Sequence, residues 1–286
     1  MAILGKSTWR MLAGAAIALA PLSAAAAQVP AGFTSLFDGK TLNGWRGDPS
    51  IWSVRDGVIT GSTDKPIPIT TFLILKKVYN NFEIHLKYRF LTTTGNSGLQ
   101  FHSGEIGDNF GMAGMQSNIT PVTPSLDRFG MLYEESAERQ EMVLLGQKAV
   151  ITRTVAAEGG GQGRIVRTVL GTTNPRDAIL KSVKPAPEWN DDVLIVYGNH
   201  FVHVINGFVV FDATDNDPLG AKEGLMGFQF HHGPAFTVQF KDIYIKPLTS
   251  FPNITGRFTS QPGPAPEPSR TYKDSTKVNL PDTPLP

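Results

Sequence analysis

Asn96-Ser97-Gly98-Leu99-Gln100-Phe101-His102 alternates polar and apolar side chains. Extended as a strand, it turns Leu99 and Phe101 to one face and Gln100 and His102 to the other. The same pattern recurs twice. Met115-Gln116-Ser117-Asn118 sets Gln116 and Asn118 on one face, and Phe228-Gln229-Phe230-His231 sets Gln229 and His231 opposite Phe228 and Phe230. Three such strands predict a sheet with one apolar face and one face of hydrogen-bonding groups, a surface suited to sugar hydroxyls.

The flanking chain reads as support for that sheet. Phe82 to Phe90 alternates without error, with Phe82, Ile84, Leu86, Tyr88 and Phe90 inward and Glu83, His85, Lys87 and Arg89 outward. Asp56-Gly57 and Asn206-Gly207 separate β-rich runs and predict two-residue hairpin turns. Gly104 to Gly114 reads as a loop over the sheet, and Glu158 to Gly163 as a hairpin tip, since it lacks the spacing of a phosphate-binding loop. Arg176 to Val183 reads as one short helix, while Ala137 to Leu145 fits helix or strand. In Phe236 to Ile245 the apolar parity switches after Phe240, which predicts a bulge near Lys241-Asp242. A dozen or so short strands with little helix predict an all-β sandwich.

The chain has 286 residues and a formal net charge of +1, so no electrostatic footprint of a nucleic-acid binder exists. It has no Cys, which excludes disulfides, thiolate metal sites and Cys nucleophiles. Residues 1–27 carry Lys6 and Arg10, an Ala- and Leu-rich run from Met11 to Leu22, and Ala25-Ala26-Ala27 before Gln28. That is the pattern of a signal peptide, and it predicts export, to a bacterial periplasm, with no membrane span in the mature chain. Residues 28–249 read as the folded domain. Gln261 to Pro268 is Pro-rich, and 250–286 reads as a disordered tail.

Leu36-Phe37-Asp38-Gly39-Lys40-Thr41-Leu42-Asn43-Gly44-Trp45 resembles the opening signature of the 3-keto-disaccharide hydrolase family, also described as 3-keto-glycoside hydrolases or lyases. Asn96 to His102, Gly130 to Glu134 with Arg139, Trp189-Asn190-Asp191, Gly198 to Gly207 and Gly227 to His231 resemble its later signatures in the right order. The resemblance covers about residues 32–248. It implies a concanavalin A-like jelly-roll sandwich with few short helices, acting on glycosides whose sugar carries a ketone at C3. Members often carry Arg where His102 stands and Asp where Asn118 stands.

Such a ketone acidifies the neighbouring C2–H. A base removes that proton and the C1 substituent leaves by β-elimination, with water added later. The chemistry does not need the opposed carboxylates of an ordinary glycosidase, and no strand here carries them at glucanase spacing. Candidates for the base are His102, His231, Glu134 and His203; pocket lining or a core hydrogen bond is the competing role for each His. Gln100, Gln116, Asn118, Tyr133, Arg139 and Gln229 are the candidate sugar-binding residues. A structural salt bridge competes for Arg139, and sandwich packing for Tyr133. Two or three His with Glu134 could instead hold a divalent metal that polarises the ketone. Asp212, Asp215 and Asp217 flank a Pro-containing loop without the Gly and terminal Glu of a calcium loop, so a solvated loop is favoured. The alternatives to catalysis are a carbohydrate-binding module on the same face, or a structural, protein-binding sandwich.

Overall fold

The structure is a computed structural model describing residues 29–121, 128–154 and 163–264. The expected signal peptide at 1–27 and the Gly-rich run at 158–162 lie outside the described residues. In chain order the strands are β1 (Thr34–Ser35), β2 (Trp45–Arg46), β3 (Trp52–Arg55), β4 (Val58–Ser62), β5 (Thr71–Leu75) and β6 (Phe82–Phe90). There follow β7 (Ser97–Ile106), β8 (Gly111–Ile119), β9 (Leu132–Glu135), β10 (Gln140–Val143), β11 (Gln147–Arg153) and β12 (Ile165–Thr172). After helix α1 (Arg176–Ser182) come β13 (Asn190–Tyr197), β14 (His200–Ile205), β15 (Phe208–Asp215), β16 (Leu225–Phe230) and β17 (Thr237–Pro247).

The strands form two sheets, giving a jelly-roll β-sandwich. The larger runs β12-β11-β15-β14-β13-β6-β17-β4-β3, with β1 on β17; the smaller runs β10-β9-β8-β7-β16-β5-β2. Among the described residues no helix is long and apolar enough to cross a membrane.

The period-2 patterns set both inner faces. Phe82, Ile84, Leu86, Tyr88 and Phe90 are all buried, as are Leu99, Phe101, Met115, Phe228 and Phe230 from the facing sheet. Aromatic rings lock the layers: Phe228 stacks on Phe240 at 4.0 Å between centroids, and Phe101 meets Phe201 edge-on at 5.2 Å. The hairpin turns form as expected, with Asp56, Gly57, Asn206 and Gly207 all at positive φ. The β17 bulge falls between Lys241 and Tyr244, with Asp242 at φ 51°.

Two expectations need correction, and one open choice between helix and strand is decided. The segment from Gly104 to Gly114 is not a loop: β7 runs through to Ile106 and β8 starts at Gly111, so both strands pair almost to the turn. Within 137–145 the chain forms β10, paired with β9. The tail does not begin at 250. Phe251, Ile254 and Phe258 pack with Leu248 on Ile195, Val202, Val204 and Val209, covering the outer face of the larger sheet. Arg257 pairs with buried Glu83, and the Thr259 carbonyl accepts from Val209 N at 3.1 Å and Asn174 Nδ2 at 2.9 Å. Residues 265–286 lie outside the described part.

Candidate functional site

The outer face of the smaller sheet carries the site. Paired residues of neighbouring antiparallel strands share a face. Gln100 pairs with Gln116, Gln116 with Tyr133, and Gly114 with Glu135. Gln100, Gln116, Asn118, Tyr133 and Gln229 therefore share one face, as the alternation predicts, and Glu135 joins them. Glu134 pairs with Met115, a core residue, and so faces the interior.

Hydrogen bonds run across this face. Asn118 Nδ2 donates to the Arg128 carbonyl at 2.7 Å, and Gln116 Nε2 donates to Asn118 Oδ1 at 2.8 Å and to Gln229 Oε1 at 3.4 Å. Gln229 Nε2 donates to Glu135 Oε2 at 2.7 Å. Gln100, Gln116, Asn118 and Gln229 are all buried, so they form a floor that holds Glu135 rather than an open lining. Burial pushes the Glu135 carboxyl above its ordinary range, against the Gln229 hydrogen bond and the nearby His232 and Arg128, which act to lower it. Gln116 Oε1 and Asn96 Oδ1 are buried acceptors with no donor among the described residues.

Two cavities lie beside this face. The first, about 530 Å³, is lined by Thr93, Thr94, Asn96, Arg128, His231 and His232, among others. The second, about 400 Å³, is lined by Thr70, Asn109, Glu135, Ser136 and His232 together with apolar residues that include Ile69, Phe72, Ile106 and Met112. His232 lines both, while His231 lines only the first and Glu135 only the second.

His231 follows β16 and keeps the parity of Gln229. Its Nδ1 lies 2.6 Å from the His232 carbonyl. A carbonyl only accepts, so Nδ1 carries the proton, and the neutral ring keeps a free lone pair on Nε2. Burial depresses the His231 pKa, opposed by that carbonyl, while His232 and Arg128 lower it further; the ring is held in its basic form. The two His rings stack at 4.1 Å, and the Thr70 hydroxyl contacts His232 Nδ1 at 3.0 Å.

The other candidates lie elsewhere. His102 is the extra residue of a bulge between Phe101 and Ser103, at φ 43°. The bulge reverses its parity. Its Nε2 meets the Asn80 carbonyl at 2.8 Å and its ring packs on Phe101 and core Phe201, so it shares no pocket with His231. His203 is fully buried, with Nε2 3.1 Å from Asp192 Oδ1, in the core of the larger sheet.

Glu134 and Arg139 belong to a buried ion network that ties the two sheets together. Arg139 Nε donates to Glu134 Oε2 at 3.0 Å, and its Nη1 donates to Asp215 Oδ2 at 2.7 Å and Asp217 Oδ2 at 3.4 Å. Arg153 continues it to Asp217 at 2.9 Å and Glu138 at 3.1 Å. Asp215 and Asp217 are thus buried ion partners rather than a solvated loop, while Asp212 pairs with Lys148 and His200. The expected His and Glu134 metal set does not converge, and no group of three or more His, Asp or Glu among the described residues could hold a metal ion.

Sequence reasoning missed Glu135, His232, Asn96 and Arg128. The Glu134-Glu135 and His231-His232 doublets were the available signals, but alternation alone cannot choose a member of a pair without the register.

The two sheets define the chain as a jelly-roll β-sandwich. The profile of the 3-keto-alpha-glucoside-1,2-lyase-like domain matches residues 32–246, and the chain belongs to that family. A Bacteroides thetaiotaomicron protein named 3-keto-disaccharide hydrolase is 33% identical over 84 residues, 26% of this chain and 29% of that protein. The match therefore spans under a third of that relative's length. Among solved structures, a Parabacteroides distasonis protein provisionally named a glycosyl hydrolase aligns with TM-score 0.48 and 21% identity, over 76% of this chain and 94% of that one. A carbohydrate-binding module, CBM66 of Bacillus subtilis, aligns with TM-score 0.43 and 14% identity, over 71% and 95%.

Proposed function

We propose that the protein cleaves 3-keto-glycosides by β-elimination, with His231 as base and Glu135 as acid. The observation that carries this is a neutral His, its Nε2 lone pair free, and a carboxyl whose pKa burial has raised, in neighbouring cavities that share His232. Pairs of groups pushed toward opposite roles by their surroundings mark acid–base assignments. His231 Nε2 takes the C2 proton, the C–H electrons form the C1–C2 double bond, and the C1–O bond breaks. The leaving oxygen takes the proton from the Glu135 carboxyl. Water added across the double bond completes net hydrolysis; release before that step is the lyase outcome. Asn96 Oδ1 is an acceptor suited to a sugar hydroxyl, and Arg128 supplies positive charge beside the developing enolate.

The test uses 3-keto-glucosides with leaving groups of different acidity. His231→Gln should slow all of them by ~10²–10⁴. Glu135→Gln should slow an alkyl leaving group by a similar factor and a nitrophenolate, which needs no proton, by far less. The base form exists above a His pKa lowered from 6.5, and the acid form below a Glu pKa raised from 4.5. kcat/KM should therefore fall at low pH as His231 protonates and at high pH as Glu135 ionises, and Glu135→Gln should remove the fall at high pH. Equal effects of Glu135→Gln on both leaving groups, or a high-pH fall that survives it, would remove Glu135 as the acid. Unchanged turnover in His231→Gln would remove His231 as the base.

A further inference from the structure

We infer that the second cavity is a subsite for an apolar, ring-bearing aglycone, so that the preferred substrates are glycosides of hydrophobic alcohols or phenols rather than disaccharides; this rests on the proposed reading of the site. The cavity's walls are apolar on three elements. Phe72 of β5 and Met112 of β8 belong to a small buried apolar cluster with Ile74 on the outer face of the smaller sheet, apart from the main core. Ile69, in the β4–β5 connection, and Ile106, at the end of β7, form the rim. They are 59% and 43% exposed, two of the few large hydrophobic side chains left in water on this molecule. Single exposed apolar residues are ordinary; two from separate elements lining one cavity form a patch that a ligand would cover.

The occupant follows from what adjoins the patch. Glu135 and His232 line the same cavity, and His232 also lines the first one, which holds Asn96, Arg128 and several Thr hydroxyls. A molecule spanning both cavities would place hydroxyls in the polar one and apolar surface in the other, with the bond between its halves beside Glu135. A glycoside with a hydrophobic leaving group has that layout. A second sugar would find partners, besides Glu135 and His232, only at Thr70, Asn109 and Ser136 and would set its remaining hydroxyls against Ile69, Ile106, Phe72 and Met112, a cost that disfavours it.

The test separates this inference from the catalytic one. Calorimetric titration compares phenyl and methyl glucosides of both anomers, unoxidised and therefore inert, on the wild type and on Ile69→Asp and Ile106→Asp. Both side chains are rim-exposed, and circular dichroism checks that the variants fold. The phenyl glucoside should bind about tenfold more tightly than the methyl one, the worth of partly burying one ring. Either variant should bring that ratio close to one. Equal affinities in the wild type, binding of neither, or an undiminished ratio in both variants would overturn the subsite. A second arm measures turnover of the 3-keto forms of phenyl glucoside and of a disaccharide. If neither is cleaved while the phenyl preference and its loss hold, the catalytic reading falls and the apolar subsite stands. If both are cleaved with equal kcat/KM and the variants leave that equality unchanged, the subsite falls and the catalytic reading stands.

Discussion

Replacing Arg139 by Leu should damage the fold far more than the chemistry. The guanidinium is 3% exposed and faces Glu134, Asp215 and Asp217, all buried. Burial alone would favour losing its charge, but the Glu134 and Asp215 carboxylates outweigh that and hold it charged. Leu leaves those carboxylates without their central cation. Removing one partner of a buried ion pair costs about 3–5 kcal/mol, most of it from the charge left behind. For a domain of this size each kcal/mol moves Tm by about 2–4 °C, so the expected loss is roughly 6–20 °C at pH 7.5. The deficit has a defined pH dependence. Burial already raises the Asp215 pKa, and Arg139 opposes that rise. Without Arg139 the folded-state value climbs further above the unfolded one. The folded variant then binds protons more readily than the unfolded chain, so its stability rises as pH falls through the raised value. Scanning calorimetry at pH 7.5 and pH 5 should show the gap to wild type narrowing at the lower pH. A variant with wild-type Tm and abolished turnover would refute this account and return Arg139 to the site. A pH-independent deficit would refute the assignment of the cost to orphaned carboxylates.

The other expectations are briefer. A chain ending at Leu248 should lose several degrees of Tm and bind a hydrophobic dye, since it uncovers Ile195, Val202, Val204 and Val209; a chain ending at Pro264 should melt like the full protein. Equal melting of the two truncations would count against the packing of Phe251, Ile254 and Phe258. Gly98→Ala should weaken glycoside binding, because a Cβ there would sit 2.6 Å from Gln116 Cγ and Cδ and push that side chain off the floor. Unaltered affinity in a folded Gly98→Ala protein would show that the floor does not position the ligand-facing groups.

What the sequence makes legible follows from the period of a strand. The alternation of Phe82 to Phe90 and of the three Gln-bearing stretches survives folding, so the sandwich, its core and the shared face of Gln100, Gln116, Asn118 and Gln229 can be read directly. Parity fails where one residue is inserted. The bulge at His102 turns that ring away from Gln100, and nothing local announces it: a non-Gly residue at φ 43° has no motif. Choosing Glu135 over Glu134 requires the register of β9 on β8, which depends on which apolar residue of each strand finds the core. Leu132, opposite Ser117, is fully buried and decides it. The Pro-rich composition after 260 draws attention from Phe251, Ile254 and Phe258, whose spacing in an irregular segment matches neither period although they cover a sheet face.

The reach of Gln229 to Glu135 sets a condition on the shape of the sheet. β16 and β9 are separated by β7 and β8. At about 4.8 Å per neighbour their backbones lie about 14 Å apart measured along the sheet. Two extended side chains meeting at 2.7 Å across that span require the outer face to curve inward and the strands between to leave room. Gly98 supplies that room: it faces outward beside Asn118, and the Gln116 side chain lies where its Cβ would be. Gln229, two residues before His231, therefore reaches Glu135 by curvature over a glycine, not by adjacency in the ladder. Glu134, one residue away, faces the other side and spends its charge on holding the two sheets together. One dipeptide thus divides between a carboxyl on the outer face, held by Gln229, and a carboxylate inside the sandwich, paired with Arg139.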